Sequence, residues 1–374
     1  MILKGGKILN KEFTIEYSDL YIKDGLIADD SSDNEVLDIS GLTVLPGLID
    51  IHIHGFAGGN IASTDSKVLN NISTELLKRG VTSIVATVST RSHEECCEVL
   101  SALRDSIKNG TDGTEFLGVN LEGPYLNINK KGGMVPQHIR PFNKAEFDQY
   151  LKISDNNIKL ITIAPEIEEN FNAIKYITEK GVIASIGHTE ATAEETERAI
   201  KMGISHANHL FNAMTGINHR EPGAVGAVFD SDITAEIICD GYHINQRVLR
   251  MAYKLLGRER LIFISDTILL GGLPDGTYIF DGLKTLKKGD SCTLEDGTIN
   301  GNANDLFTCV KRLVSFGIPL EDAVYCSSFT PARRIGVLDK KGSIEIGKDA
   351  DLVIVDDELN VKYVIKNGII KYTA

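Results

Sequence analysis

In Ile51-His52-Ile53-His54-Gly55, two imidazoles stand two residues apart. On an extended strand such residues face the same side, so both rings can reach one metal ion. An H-x-H pair alone says little. Further residues of ligand type close other short apolar runs: Glu122 in Leu121-Glu122-Gly123-Pro124, His188 in Gly187-His188-Thr189, His209 in His209-Leu210-Phe211, and Asp266 in Ile264-Ser265-Asp266. Imidazole nitrogens and carboxylate oxygens are the donors that zinc and related divalent ions take. Four histidines and two carboxylates at five such ends predict a metal site, provided the five ends meet. Two more residues suggest substrate contacts. His243, in Cys239-Asp240-Gly241-Tyr242-His243, could donate to a substrate oxygen. Arg220, in His219-Arg220-Glu221-Pro222-Gly223, offers a planar guanidinium for a phosphate or carboxylate, an ion pair with Glu221 being the structural alternative. His93, His138, His206 and His219 are expected to lie outside the ligand set.

The elements that must bring these ends together alternate. Strands are predicted at Leu48–His54, Val81–Val88, Phe116–Glu122, Lys159–Pro165, Val182–Gly187, Ile204–Leu210, Ile233–Asp240 and Leu261–Asp266. Helices are predicted at Ser66–Arg79, Ser92–Asn109, Ile167–Lys180 and Ala193–Met202, where apolar residues recur at helical spacing. Eight strands alternating with helices, over somewhat more than the ~250 residues usual for the fold, predict an α/β chain closed into a (β/α)8 barrel, with a doubly wound sheet as the alternative. In such barrels the C-terminal strand ends share one rim, and residues there tend to be catalytic.

The chain ends follow another pattern. Met1–Leu9, Phe13–Ile22 and Leu42–Leu45 read as strands, as do Ser343–Ile346, Leu352–Val355, Val361–Lys366 and Ile369–Tyr372. Neither end could bury much core alone, so residues 1–47 and 336–374 are expected to pair as a small β-sandwich beside a barrel of residues 48–335.

Composition narrows the function classes. The 374 residues carry a net charge of −13 and are 42% hydrophobic, an acidic globular chain. That field opposes non-specific nucleic-acid binding, and an anionic substrate would need a local cationic anchor. No run is long enough to span a membrane and the start has no signal-peptide core, so a cytoplasmic location is expected. The six cysteines include no C-x-x-C, which argues against a disulfide frame or thiolate zinc cluster.

These segments resemble the amidohydrolase superfamily and, within it, the N-acetylglucosamine-6-phosphate deacetylases. The resemblance covers nearly the whole chain: Leu45-Pro46-Gly47-Leu48-Ile49-Asp50 before the histidine pair, Leu121-Glu122-Gly123-Pro124-Tyr125-Leu126, Ala164-Pro165-Glu166, His209-Leu210-Phe211-Asn212-Ala213-Met214, Arg220-Glu221-Pro222-Gly223, and the closing Gly342-Ser343-Ile344-Glu345-Ile346-Gly347-Lys348-Asp349-Ala350-Asp351-Leu352. It implies hydrolysis of the N-acetyl group of N-acetylglucosamine 6-phosphate, or of a related amino-sugar phosphate such as N-acetylgalactosamine 6-phosphate, and assembly as a homodimer. It implies one or two divalent ions per chain, zinc, iron or similar. Glu122, His188 and His209 would hold one; His52 and His54, with Glu122 bridging and Asp266 shared, a second. Asp266 would be the proton shuttle. Gly133, Met134, Asn212, Ala213, Arg220, Asp240, His243, Ile299, Asn300 and Gly301 would contact the sugar phosphate.

Three departures stand out. Lys131-Gly132-Gly133-Met134 replaces the family's Lys-Gly-Ala-His, Thr267-Ile268-Leu269-Leu270 follows Asp266 where small residues are usual, and Gly301-Asn302-Ala303-Asn304-Asp305 replaces a Ser-rich turn. Two rivals remain. A cyclic-amide hydrolase of the dihydroorotase kind usually carries a carboxylated lysine at the end of strand four, where this chain has Ile163-Ala164-Pro165-Glu166. A catalytically silent phosphosugar-binding protein would have no need of the intact ligand set and Asp266.

Overall fold

Runs rich in Ile and Val bounded by glycines or polar turns form most staves of the central sheet; the exception is the sixth, where the expected Ile204–Leu210 pairs only through His206–Ala207. The computed structural model describes residues 1–30 and 35–374. Eight strands, Leu48–Ile53, Val81–Ser89, Glu115–Glu122, Ile158–Ile163, Ile183–Ile186, His206–Ala207, Thr234–Ile238 and Leu261–Ile264, pair in parallel, each with its successor in the chain. The Asp266 amide donates to the His52 carbonyl at 3.0 Å and the Ser265 hydroxyl to Asp50, which joins the last stave to the first and closes a (β/α)8 barrel. The first strand is buried at every position, as expected for a parallel sheet covered by helices.

Helix starts follow local chemistry. Ser92 and Glu95 form a reciprocal capping box at the head of His93–Asn109, and Thr192 with Glu195 does the same for Ala193–Met202. Between the barrel strands, three helices were not expected: Lys144–Ile153, Gly223–Phe229 and Gln246–Arg260. The first is capped by Asn143, the last by Asn245. Their short buried faces, Phe147, Tyr150 and Leu151 in one and Leu249, Ala252 and Leu256 in the other, are weak periodic signals.

At the chain ends, the long expected strands divide. Met1–Leu9 splits into Ile2–Lys4, in a four-stranded sheet, and Lys7–Leu9, in a six-stranded one. Gly5 at φ 83° makes the break, a conformation open mainly to glycine. Phe13–Ile22 divides the same way, into Ile15–Tyr17 and Leu20–Lys23. Both ends of the chain build the six-stranded sheet, where Thr43–Pro46 pairs antiparallel with Leu352–Val355. Leu3, Ile8, Ile22, Val44, Leu352 and Ile365 belong to one separate core there. Ser343–Ile346 is not a strand: Gly342 at φ 92° and Gly347 at φ 90° bracket it as an irregular segment. Among the described residues, no helix is long and apolar enough to cross a membrane.

Candidate metal centre

The strand ends deliver their side chains to one point on the rim. Glu122, the last residue of the third strand, lies between two histidine pairs. Its Oε1 is 3.0 Å from His188 Nε2 and 2.8 Å from His209 Nε2, and its Oε2 is 3.2 Å from His54 Nε2 and 3.6 Å from His52 Nε2. Asp266 Oδ1 is 3.2 Å from His54 Nε2. His188 and Asp266 carry positive φ, 47° and 53°. Such left-handed backbone costs a non-glycine residue roughly 1–2 kcal/mol.

Hydrogen bonding decides which ring nitrogens are free. His188 Nδ1 meets the Lys130 carbonyl at 2.7 Å, and His52 Nδ1 meets the Glu236 carboxylate at 3.0 Å. Both oxygens only accept, so each Nδ1 donates, and in the neutral ring each Nε2 is a bare lone pair. These lone pairs point at one another's neighbours: His188 Nε2 is 3.1 Å from His209 Nε2, and His52 Nε2 is 3.3 Å from His54 Nε2, with Glu122 between. The bare nitrogens of His188 and His52 thus face further nitrogen and carboxylate acceptors, an arrangement that a bound cation reconciles. All six residues are nearly closed to solvent. Although burial works against the imidazolium, Glu122 and Glu236 raise His52 well above the usual range, and Asp266 and Glu122 raise His54 to about 9. Burial favours the neutral acid at Glu122, yet the surrounding rings hold it well below the ordinary carboxylate range. The cluster recruits positive charge, and its donor set fits a divalent metal ion.

Supporting residues complete the arrangement, and sequence reading did not find them. Glu236 bonds His52 Nδ1 through one oxygen and His206 Nε2 through the other, each at 3.0 Å; Asn208 Nδ2 donates to Glu122 Oε1 at 3.1 Å. Such partners orient ligands and set ring tautomers. Their only sequence signal is a polar residue inside an apolar strand, Glu236 in Thr234-Ala235-Glu236-Ile237-Ile238. His206 faces Glu236 and Thr234, away from the cluster.

Above the cluster is a cavity of about 370 Å³. His54, Glu122, His188, His209 and Asp266 line it, together with Gly133, Met134, Asn212, Ala213, His243, Ile299, Asn300 and Gly301. Gly133 packs so closely on Asn300 that a Cβ there would lie 2.1 Å from Asn300 Oδ1. His52 is sealed beneath the floor, 0% exposed. Two expected contact residues lie off the wall. The buried Asp240 spends its carboxylate on His243 Nδ1, at 2.7 Å, and on the amides of Tyr242 and His243. Burial disfavours a charged His243 ring, but Asp240 outweighs it and raises His243 above the usual range. Arg220 stands exposed on the loop that leaves the rim after Ala213; among the described residues it forms no ion pair, with Glu221 or otherwise.

Comparison with known proteins gives a consistent answer. The model of the amidohydrolase family matches residues 43–371. The N-acetylglucosamine-6-phosphate deacetylase of Bacillus subtilis strain 168 is 32% identical, covering 100% of this chain and 98% of the relative. The N-acetylgalactosamine-6-phosphate deacetylase of Escherichia coli O157:H7 is 30% identical, with 98% of each chain covered. The crystal structure of the N-acetylglucosamine-6-phosphate deacetylase from Pasteurella multocida superposes with a TM-score of 0.94 at 30% identity, over 100% of this chain and 99% of that one.

Proposed function

Because the chain belongs to the amidohydrolase family, we propose that it is a metal-dependent hydrolase that removes the acetyl group from the nitrogen of an N-acetylated hexosamine 6-phosphate, chiefly N-acetylglucosamine 6-phosphate, with N-acetylgalactosamine 6-phosphate as the second candidate. The observation that carries this is the convergence of four imidazoles on Glu122 at the floor of a substrate-sized cavity, with Asp266 beside them.

An amide is a poor electrophile and water a poor nucleophile, so both need help near neutral pH. Glu122, His188 and His209 would hold one divalent ion and His52 and His54 a second, and such an ion would bring the pKa of water down to about 7 and polarise the substrate carbonyl. Asp266 is held below the ordinary carboxylate range by His54 and His52 despite burial, so it is ionised and able to accept a proton. It takes the water proton as the C–O bond forms at the acetyl carbon and returns it to the departing amine as the C–N bond breaks, giving acetate and the free amino sugar. Met134 reaches the cavity but brings only a thioether, so the carbonyl gains no hydrogen bond from this side chain. His243, oriented through Nδ1 by Asp240, is the phosphate contact within the cavity, and Arg220 on the exposed loop is a second anchor.

A sugar phosphate is too polar to cross membranes unaided, which supports a cytoplasmic site of action. We propose that the chain assembles as a homodimer, which the particle mass in solution tests. The functional test is acetate release across N-acetylated hexosamines, with and without the 6-phosphate. Turnover of the phosphorylated sugars, abolished by chelation and restored by divalent metal, is expected. Stoichiometric binding of those sugars without acetate release, in the metal-loaded protein, would establish the silent phosphosugar-binding alternative instead.

A further inference from the structure

Between the eighth barrel strand and the following helices, the chain forms a four-stranded antiparallel sheet from Gly276–Phe280, Leu283–Lys288, Ser291–Thr293 and Ile299–Asn302. Its first hairpin turns at Asp281-Gly282, both at positive φ, 45° and 78°, and this tip rests on the barrel rim. The Asp281 carboxylate accepts from Asn60 Nδ2 at 2.8 Å, from the Ser89 hydroxyl at 2.9 Å and from Arg91 Nη2 at 3.4 Å. Asn60 follows the first barrel strand, and Ser89 ends the second. Next to the tip, the Phe280 ring lies 6.2 Å from the His54 ring.

The Ser89 hydroxyl has a second neighbour, His54 Nδ1 at 3.3 Å. An ionised carboxylate can only accept, so the single hydroxyl proton goes to Asp281. The oxygen is then left as an acceptor toward His54, and Nδ1 of the neutral ring must carry the hydrogen. Nε2 is bare, and it is the nitrogen 3.2 Å from both Glu122 and Asp266. Without Asp281 the hydroxyl can rotate and donate to Nδ1. Glu122 and Asp266 then favour the tautomer with hydrogen on Nε2, which cannot ligate a metal.

We propose that Asp281 is a positioning residue for the metal centre: through the Ser89 hydroxyl it holds His54 with Nε2 bare, so the His52 and His54 side binds its ion more tightly with the hairpin tip seated on the rim. The inference rests on the metal-hydrolase reading above. It gives the two sides different supports. His188 is fixed by a main-chain carbonyl and His52 by the barrel residue Glu236, whereas His54 depends on a residue from a separate sheet.

The test is equilibrium binding of Zn²⁺ to the metal-stripped full chain. Wild type should bind two ions. Asp281→Ala should weaken the second about 10–100-fold, the usual cost of losing a residue behind a metal ligand, and leave the first unchanged. Ser89→Ala, which leaves the hairpin sequence intact, should do the same. Ser89→Thr, which keeps the hydroxyl, should restore the second ion, and the double alanine variant should be no worse than either single one. Two ions bound normally by both alanine variants would overturn the inference and leave the hydrolase reading standing, as would equal weakening of both ions or a wild type with one site. A wild type that binds no ion overturns both.

Discussion

Two regions of this molecule gather acidic and ligand-type side chains, and they differ in how the charge is balanced. Near the chain ends, Glu115, Asp349 and Asp351 converge, but Lys341 Nζ lies 2.7–2.8 Å from all three carboxylates and Lys366 Nζ lies 2.7–2.8 Å from two of them. The cations are part of the chain. This network ties the terminal sheet to Glu115 on the third barrel strand. On the rim, Glu122 and Asp266 have only histidines as partners of basic type; among the described residues neither pairs with a lysine or arginine. Converging carboxylates therefore do not define a metal site. A metal site is defined by acceptors brought together without a cation of their own.

The largest expected effect falls on the rim. His188→Ala or His209→Ala should lose the ion between them and reduce kcat/KM by on the order of 10³-fold or more, while Lys341→Met keeps its full metal content. Metal analysis beside steady-state kinetics checks this, and full occupancy in both histidine variants would break the distinction between the regions. Next comes Asp266→Asn, nearly isosteric but unable to accept a proton. It should retain metal and substrate while kcat falls about 10²–10⁴-fold. Near-normal turnover would remove Asp266 from proton transfer.

A smaller effect is expected at the cationic anchor. Arg220→Ala should cost roughly 10–100-fold in kcat/KM on a 6-phosphorylated substrate and almost nothing on the unphosphorylated sugar. Equal losses on both substrates would make Arg220 a loop brace.

The smallest effect belongs to the lysine-balanced region. Burial raises the Glu115 carboxyl, but Lys366 and Lys341 more than compensate and bring it from 4.5 to about 2. A depressed carboxyl stabilises the fold above its unfolded pKa and loses that contribution as pH falls through the folded value. Glu115→Gln should therefore lower Tm by roughly 1–3 °C at neutral pH, a modest amount because the carboxylate is 42% exposed. The gap from wild type should close as pH drops from about 4.5 toward about 2. A gap independent of pH would show that the ion pairs are not its source.

The barrel was legible because most staves are local apolar runs with their own boundaries, and parallel staves need little else to be recognised; the two-residue sixth strand, His206–Ala207, is the exception. The rim residues were legible for the same reason: each closes one of those runs. What escaped depends on partners distant in sequence. Nothing near Asp281 signals that its carboxylate reaches Ser89, 192 residues away, and Glu236 is tied to His52 across 184 residues. The division of Met1–Leu9 at Gly5 between two sheets is a tertiary choice that alternation alone does not reveal. Asp240 shows another limit. The family resemblance implies a substrate contact there, whereas the fold turns its carboxylate inward onto the His243 ring.

The central claim is that the rim, and not the acidic cluster at the chain ends, holds the catalytic ion. Anomalous X-ray scattering from crystals of the metal-loaded protein tests it most directly. The account predicts a peak bounded by Glu122 Oε1, His188 Nε2 and His209 Nε2. A rim without a peak in crystals of active protein, or an ion found only among Glu115, Asp349 and Asp351, would contradict it.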